Sequence, residues 1–175
     1  CALLGSDVVA PGRGAAVLGT TTPVMVVTER PEIDATGKLW SGCHVLCDRW
    51  TVESNAGDTG IAYQWLVELF GLTGDAGFGR AEAEIAALPP EPQLAQSFVG
   101  PQIFDLINMS FDRATGFLFR VPMFTERPGR ALFLRAFQEN VACAVRANLE
   151  QIEAMRGRPA DSLTLSGGIC GAASL

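Results

Sequence analysis

Two glycine-bearing turns hold the residues whose types and spacing suit chemistry. Gly19-Thr20-Thr21 and Ser166-Gly167-Gly168-Ile169-Cys170-Gly171 each follow a β-rich run, where freed backbone N–H groups can face an anion with no side chain in the way. In the first turn, threonine hydroxyls beside those amides suit a phosphate or a metal-bound water; an ordinary tight hairpin turn is the plain alternative. In the second, five of the six positions from Gly167 to Ala172 are small, as required if a flat ring or a sugar lies against backbone. Neither a Walker-type phosphate loop nor a complete dinucleotide-binding glycine fingerprint is present.

Other polar residues read as structural. Asp7, Asp34, Asp48, Asp58 and Asp112 sit where turns or helix caps are expected. His44 is the one histidine, and acid–base or ligand work would need partners that the sequence does not offer. Arg120, Arg127 and Arg130 flank Glu126, the pattern of a surface charge pair. The five cysteines include no closely spaced pair with a second histidine to complete a zinc set. Cys43, Val45 and Cys47 alternate, which predicts both sulfurs on one face of a strand, packed as small hydrophobes.

The elements that must position these turns follow from periodicity. Ala15–Leu18 and Val24–Thr28 read as two strands of a hairpin, and His44–Val52 as a third strand. Asp58 or Thr59 can cap a helix whose apolar stripe is Ile61, Ala62, Trp65, Leu66, Leu69 and Phe70, with Gly71 as its stop. A short helix over 81–88 is ended by Pro89 and Pro90, and residues 116–121 form the next strand candidate. The longest helix is predicted over 131–155 from the stripe Leu134, Phe137, Val141, Val145, Leu149, Ile152 and Met155, closed by Gly157 and Pro159. Leu163-Thr164-Leu165 is a short strand running into Gly167-Gly168. This order predicts an α/β fold, a mixed sheet flanked by helices.

Composition bounds the rest. The 175 residues carry 13 Lys+Arg against 19 Asp+Glu, a formal net charge of −6, with 48% hydrophobic residues. That is enough apolar material for one globular domain, or part of one. The acidic balance with no basic cluster excludes the counterion-release binding used by nucleic-acid proteins, and no apolar run approaches the roughly 20 residues that span a bilayer. The expectation is a soluble, cytoplasmic protein with neither a nucleic-acid nor a membrane partner. The opening Cys1-Ala2-Leu3-Leu4-Gly5 and the stop at Leu175, shortly after a glycine turn, read as cuts from a longer protein.

Taken together, Ala-Val-Leu-Gly-Thr-Thr (16–21), Gly-Cys-His-Val-Leu (42–46), Glu-Ser-Asn-Ala-Gly-Asp-Thr-Gly-Ile-Ala-Tyr-Gln-Trp-Leu (53–66) and Leu-Thr-Leu-Ser-Gly-Gly (163–168) resemble the C-terminal domain of FGGY carbohydrate kinases. The resemblance covers most of the chain, in order. The short stretch from Phe119 into residues 130–141 looks more like the autoinducer-2 kinase branch than typical xylulokinases.

The resemblance implies a ribonuclease H-like, actin-type ATPase domain spanning residues 1–175, with the N-terminal sugar-binding domain outside this chain. It implies ATP and Mg2+ as cofactors, and a sugar, pentulose or polyol as the phosphoryl acceptor. By position, Gly19, Thr20 and Thr21 match the loop that holds the terminal phosphates, Gly60 and Gln64 match nucleotide-side positions, and Gly167 and Gly168 match the adenosine turn. Beyond them, Ile169-Cys170-Gly171-Ala172 replaces the family's small-basic-Ser or Asn pattern. The family's general-base Asp falls just before Cys1, so no catalytic residue or protein metal ligand is expected in the chain, and the fragment alone is expected to be inactive. A homodimer is the expected assembly of the full-length protein. The rival reading keeps the fold without the chemistry: an actin-like domain that binds nucleotide for regulation or assembly.

Overall fold

The structure is a computed structural model in which residues 1–74, 76–89, 95–108, 114–119 and 129–171 are described. Its centre is a five-stranded sheet in the order β3-β4-β2-β1-β7. The strands are β1 (Arg13–Val17), β2 (Pro23–Thr28), β3 (Trp40–Cys43), β4 (Trp50–Asn55) and β7 (Ser162–Ser166). β1 and β2 form the expected antiparallel hairpin with Ala15 opposite Met25, β4 lies antiparallel to β2, and β7 joins β1 in parallel. The sheet is therefore mixed, as the element order predicts. A separate two-stranded sheet pairs β5 (Ala95–Ser97) with β6 (Phe117–Phe119).

Alternation of side chains along the strands sends two sets of residues to two faces. Ala16, Val24, Val26 and Val52 pack into the main core with α4 (Arg130–Arg156), which contributes Leu134, Phe137, Val141, Leu149 and Ile152. All the predicted stripe positions of this helix are buried except the partly buried Met155. Gly157 ends it in the left-handed region, φ 67°, while its amide and that of Arg158 return to the carbonyls of Ala154 and Glu153. On the opposite face Ala15 and Val27 meet Leu3 of the four-residue α1 (Ala2–Gly5) and Val8 just beyond it.

A polar staple fixes α4 to the sheet. Asn148 is fully buried, and its Oδ1 accepts from Ser54 Oγ (2.6 Å) and the Phe104 amide (2.9 Å), while its Nδ2 donates to the carbonyls of Gln102 (2.8 Å) and Ala144 (2.7 Å). Every polar atom of this amide is satisfied, which is what permits it in an apolar core.

Four expectations are corrected. The predicted strand over 44–52 is instead the connection of a hairpin followed by β4: His44 N donates to Arg49 O, and Asp48 takes a left-handed φ of 57°. Cys47 lies in that connection and is exposed, and Cys43 ends the edge strand β3, whose four residues are all exposed, so neither sulfur is packed. The apolar stripe assigned to α2 (Gly60–Leu69) is rotated, since Tyr63, Leu66 and Val67 are buried whereas Ile61, Trp65 and Leu69 are more than half exposed. A helix with apolar residues on both sides has no sequence signal for which side meets the core. The next helix, α3 (Gly77–Ala86), begins four residues before its predicted start at Ala81.

Candidate functional site: a cleft at the carboxyl edge of the sheet

β1 and β4 both run antiparallel to β2, and β7 is parallel to β1. Three strands thus point the same way and end on the same edge of the sheet. The segments that leave them are Leu18-Gly19-Thr20 after β1, Gly57 to α2 after β4, and Gly167-Gly168 after β7. The carboxyl edge of an open α/β sheet is where ligands bind in such folds, because connections diverge there and leave a crevice.

The crevice is a cleft of about 630 Å³, within the range of small-molecule and cofactor sites. Gly19, Thr20, Gly60, Gln64 and Gly168 all line it. Of the residues expected from the sequence, Thr21 and Gly167 do not. Thr21 is exposed, and its carbonyl accepts the Gly19 amide at 3.2 Å. Gly167 has φ +111°, and a Cβ built there would lie 2.3 Å from the carbonyl oxygen of Leu18. Its glycine is needed so that β7 can turn tightly against the end of β1.

Gly60 is held the same way. Its amide donates to Gly19 O (2.9 Å) and Thr20 O (3.1 Å), and Ile61 N also reaches Thr20 O (3.3 Å). A Cβ at Gly60 would stand 2.1 Å from Gly19 O. The first amides of α2 are therefore satisfied by loop carbonyls, and Thr59 makes no side-chain cap. Instead Thr59 Oγ1 shares a buried 2.6 Å hydrogen bond with Thr22 Oγ1. The amide of Thr20, which lines the cleft, makes no hydrogen bond among the described residues and is left for an anion.

Three lining residues with side chains large enough to shape the cleft were not singled out as site residues by the sequence: Tyr63, Phe78 and Glu82; Ile169 of the second turn lines it as well. Tyr63 O–H donates to Glu82 Oε1 at 2.6 Å, and Gln138 Nε2 reaches both Glu82 Oε1 (2.6 Å) and the Tyr63 oxygen (2.8 Å). Burial, and after it the adjoining Glu82 carboxylate, push the Tyr63 phenol far above its usual range, so it remains a neutral donor. The Tyr63 ring stacks on Phe137 of the core at 5.5 Å and touches Phe78 at 5.7 Å. This triad joins residues 19 to 75 positions apart, which no window of sequence could bring together. Gln64, by contrast, points along the exposed face of α2 and donates to Glu68 at 2.9 Å.

The remaining candidates lie elsewhere. His44 is buried with Nδ1 accepting the Leu46 amide (3.1 Å), a turn-forming role. Arg130 pairs through its Nε with Glu84 (2.8 Å) and through Nη1 with the carbonyl of Phe70 (3.0 Å), which binds α3 to α4; Glu126, Arg120, Arg127 and Asp112 lie outside the described residues. Cys170, half-buried, has its thiol pushed up by burial. Among the described residues no group of three or more His, Cys, Asp or Glu side chains can hold a metal, and no helix is long and apolar enough to cross a membrane.

A mixed five-stranded sheet flanked by helices, with a crevice at the carboxyl ends of its co-directional strands, is an α/β domain of the ribonuclease H-like, actin-like fold. The family model for the C-terminal domain of the FGGY family of carbohydrate kinases matches residues 14–175, and the chain belongs to that family. It is 32% identical over 152 residues to YoaC of Bacillus subtilis, a protein named as a sugar kinase, covering 87% of this chain and 30% of that protein. It is 27% identical to an autoinducer-2 kinase from Salmonella paratyphi A, over 94% of this chain and 32% of that enzyme. The fold superposes on a xylulose kinase from Rhodospirillum rubrum with a TM-score of 0.79 at 18% identity, covering 98% of this chain and 33% of that one. The chain thus spans about a third of the length of these relatives.

Proposed function

We propose that this chain is the nucleotide-holding part of an ATP-dependent kinase that transfers the γ-phosphoryl group of ATP to a hydroxyl of a sugar, pentulose or polyol. The observation that carries the reading is the convergence of Gly19, Thr20, Gly60, Gln64 and Gly168 on one cleft. Phosphoryl transfer asks a protein mainly for positioning and charge stabilisation. The unpartnered amide and the hydroxyl of Thr20, which lines the cleft, supply donors for terminal phosphate oxygens. The open space beside Gly168, where a Cβ would meet nothing within 4 Å, admits the base and sugar of a nucleotide. ATP would bring the phosphoryl group, and Mg2+ bound with it would neutralise charge on the phosphates; among the described residues no group of three or more His, Cys, Asp or Glu side chains could hold the ion. The proton of the acceptor hydroxyl goes to a base outside this chain, which the family resemblance assigns to an Asp preceding Cys1. ATP use supports a cytoplasmic location, and a homodimer of the full-length protein is tested by sedimentation.

Two measurements on the full-length protein test this. ADP or ATP should raise its melting temperature, and a panel of ribulose, xylulose, ribitol, glycerol and the linear autoinducer-2 precursor should contain a substrate that drives ADP release. Thr20→Val and Gly168→Trp should abolish that release. Undiminished turnover in both variants overturns the site; nucleotide stabilisation with no turnover on any acceptor would establish a non-catalytic, regulatory domain instead.

A further inference from the structure

Glu82 is the only carboxylate among the described residues that line the cleft, and none of those residues is Lys, Arg or His. A negative group lining a site for a polyphosphate is repelled by most of its ligand, so its place must be opposite the part that is uncharged and rich in donors. The position fits. Gly60 abuts the Gly19–Thr20 turn, whereas Tyr63, which holds Glu82, lies three residues further along α2, about 4.5 Å along the helix axis.

The carboxylate is also divided between two tasks. Its Oε1 is saturated by Tyr63 O–H and Gln138 Nε2, both buried. Its Oε2 makes no hydrogen bond among the described residues and is not among the buried polar atoms left without a partner. One oxygen anchors the side chain while the other, an acceptor only, faces ligand or water. Because the Tyr63 phenol stays protonated, the anchor persists through the physiological range.

Resting on the nucleotide reading above, we propose that Glu82 selects ribonucleotides, its Oε2 accepting hydrogen bonds from the vicinal hydroxyls of the ribose. Vicinal hydroxyls present two neighbouring donors to one oxygen with two lone pairs, whereas an exocyclic base amine presents a single group. A bond to an ionised acceptor is the strong kind.

The test is calorimetric titration of the full-length protein with ATP, 2′-deoxy-ATP, 3′-deoxy-ATP and ITP. Wild type should bind ATP at least about tenfold more tightly than either deoxynucleotide, the size of a charge-assisted hydrogen bond, and should bind ITP nearly as well as ATP. In Glu82→Met the ratio of ATP to deoxynucleotide affinity should fall toward one. In the isosteric Glu82→Gln, whose carbonyl Tyr63 and Gln138 can still hold, it should fall to a few-fold. A general loosening of the cleft would weaken all four ligands alike and leave the ratios unchanged; that result, in either folded variant, overturns the inference. A ratio that moves for ITP and not for the deoxynucleotides also overturns it, in favour of base recognition. If wild type binds none of the four, the nucleotide reading itself has failed.

Discussion

The amide of Gly60 donates to the carbonyl of Gly19 at 2.9 Å across 41 residues of sequence. This bond ties the start of α2 to the turn after β1, and so sets one wall of the cleft against another. It also means that the helix N-terminus is already occupied, and that the anion donors of this site come from the turn itself.

The close approach makes a direct test. Gly60→Ala forces a Cβ to 2.1 Å from Gly19 O, so either α2 or the turn must move. We expect a loss of about 1–3 kcal/mol in denaturant unfolding together with weakened nucleotide stabilisation. Gly168→Ala, whose Cβ meets nothing within 4 Å, should stay within about 0.5 kcal/mol of wild type. Equal costs at the two sites would refute the packing argument.

The buried hydroxyl pair Thr22–Thr59 should show non-additivity. Thr59→Val strands the Thr22 hydroxyl without its partner, costing about 1–3 kcal/mol. Adding Thr22→Val removes the stranded group, so the double variant should be more stable than the two single losses sum to. A double-mutant cycle by urea denaturation reads this directly.

Asn148 makes four hydrogen bonds in a fully buried site. Asn148→Leu keeps much of the volume yet leaves Ser54 Oγ, the Phe104 amide and the Gln102 carbonyl without that partner. We expect a loss above about 2 kcal/mol, with faster hydrogen exchange at the Phe104 amide. Exchange at that amide as slow as in wild type would show that the staple is dispensable.

Asp34 provides the pH-dependent element. Burial raises its pKa, but the hydroxyl and amide of Thr36 and the amides of Lys38 and Leu39 outweigh this and hold it below the usual carboxylate value. A depressed folded-state pKa stabilises the fold above the unfolded value near 3.8. That contribution is lost as pH falls through the lower folded value. Asp34→Asn should therefore be less stable than wild type at pH 7. The gap in unfolding midpoint should narrow as pH drops below about 4, and a gap independent of pH would exclude the carboxylate as its source.

The sequence by itself determined the elements whose signals are local. The stripe from Leu134 to Ile152 needed only a helical period to place α4, Gly157 only its freedom at positive φ to end it, and the alternation around Ala15 and Met25 only a period of two. The resemblance assigned Gly19, Thr20, Thr21, Gly167 and Gly168 of the glycine turns to nucleotide contacts, and of these Gly19, Thr20 and Gly168 line the cleft while Thr21 and Gly167 do not. It failed where the decision was not local. Whether α2 buries Tyr63 or Trp65 depends on which side meets α4, and whether residues 44–49 form a strand or a turn depends on the pairing of β3 with β4. The Tyr63–Glu82–Gln138 triad and the Asn148 staple were decided only by tertiary structure. Their polar atoms become partners when burial removes water as the alternative, and burial is a property of the packed chain rather than of any segment.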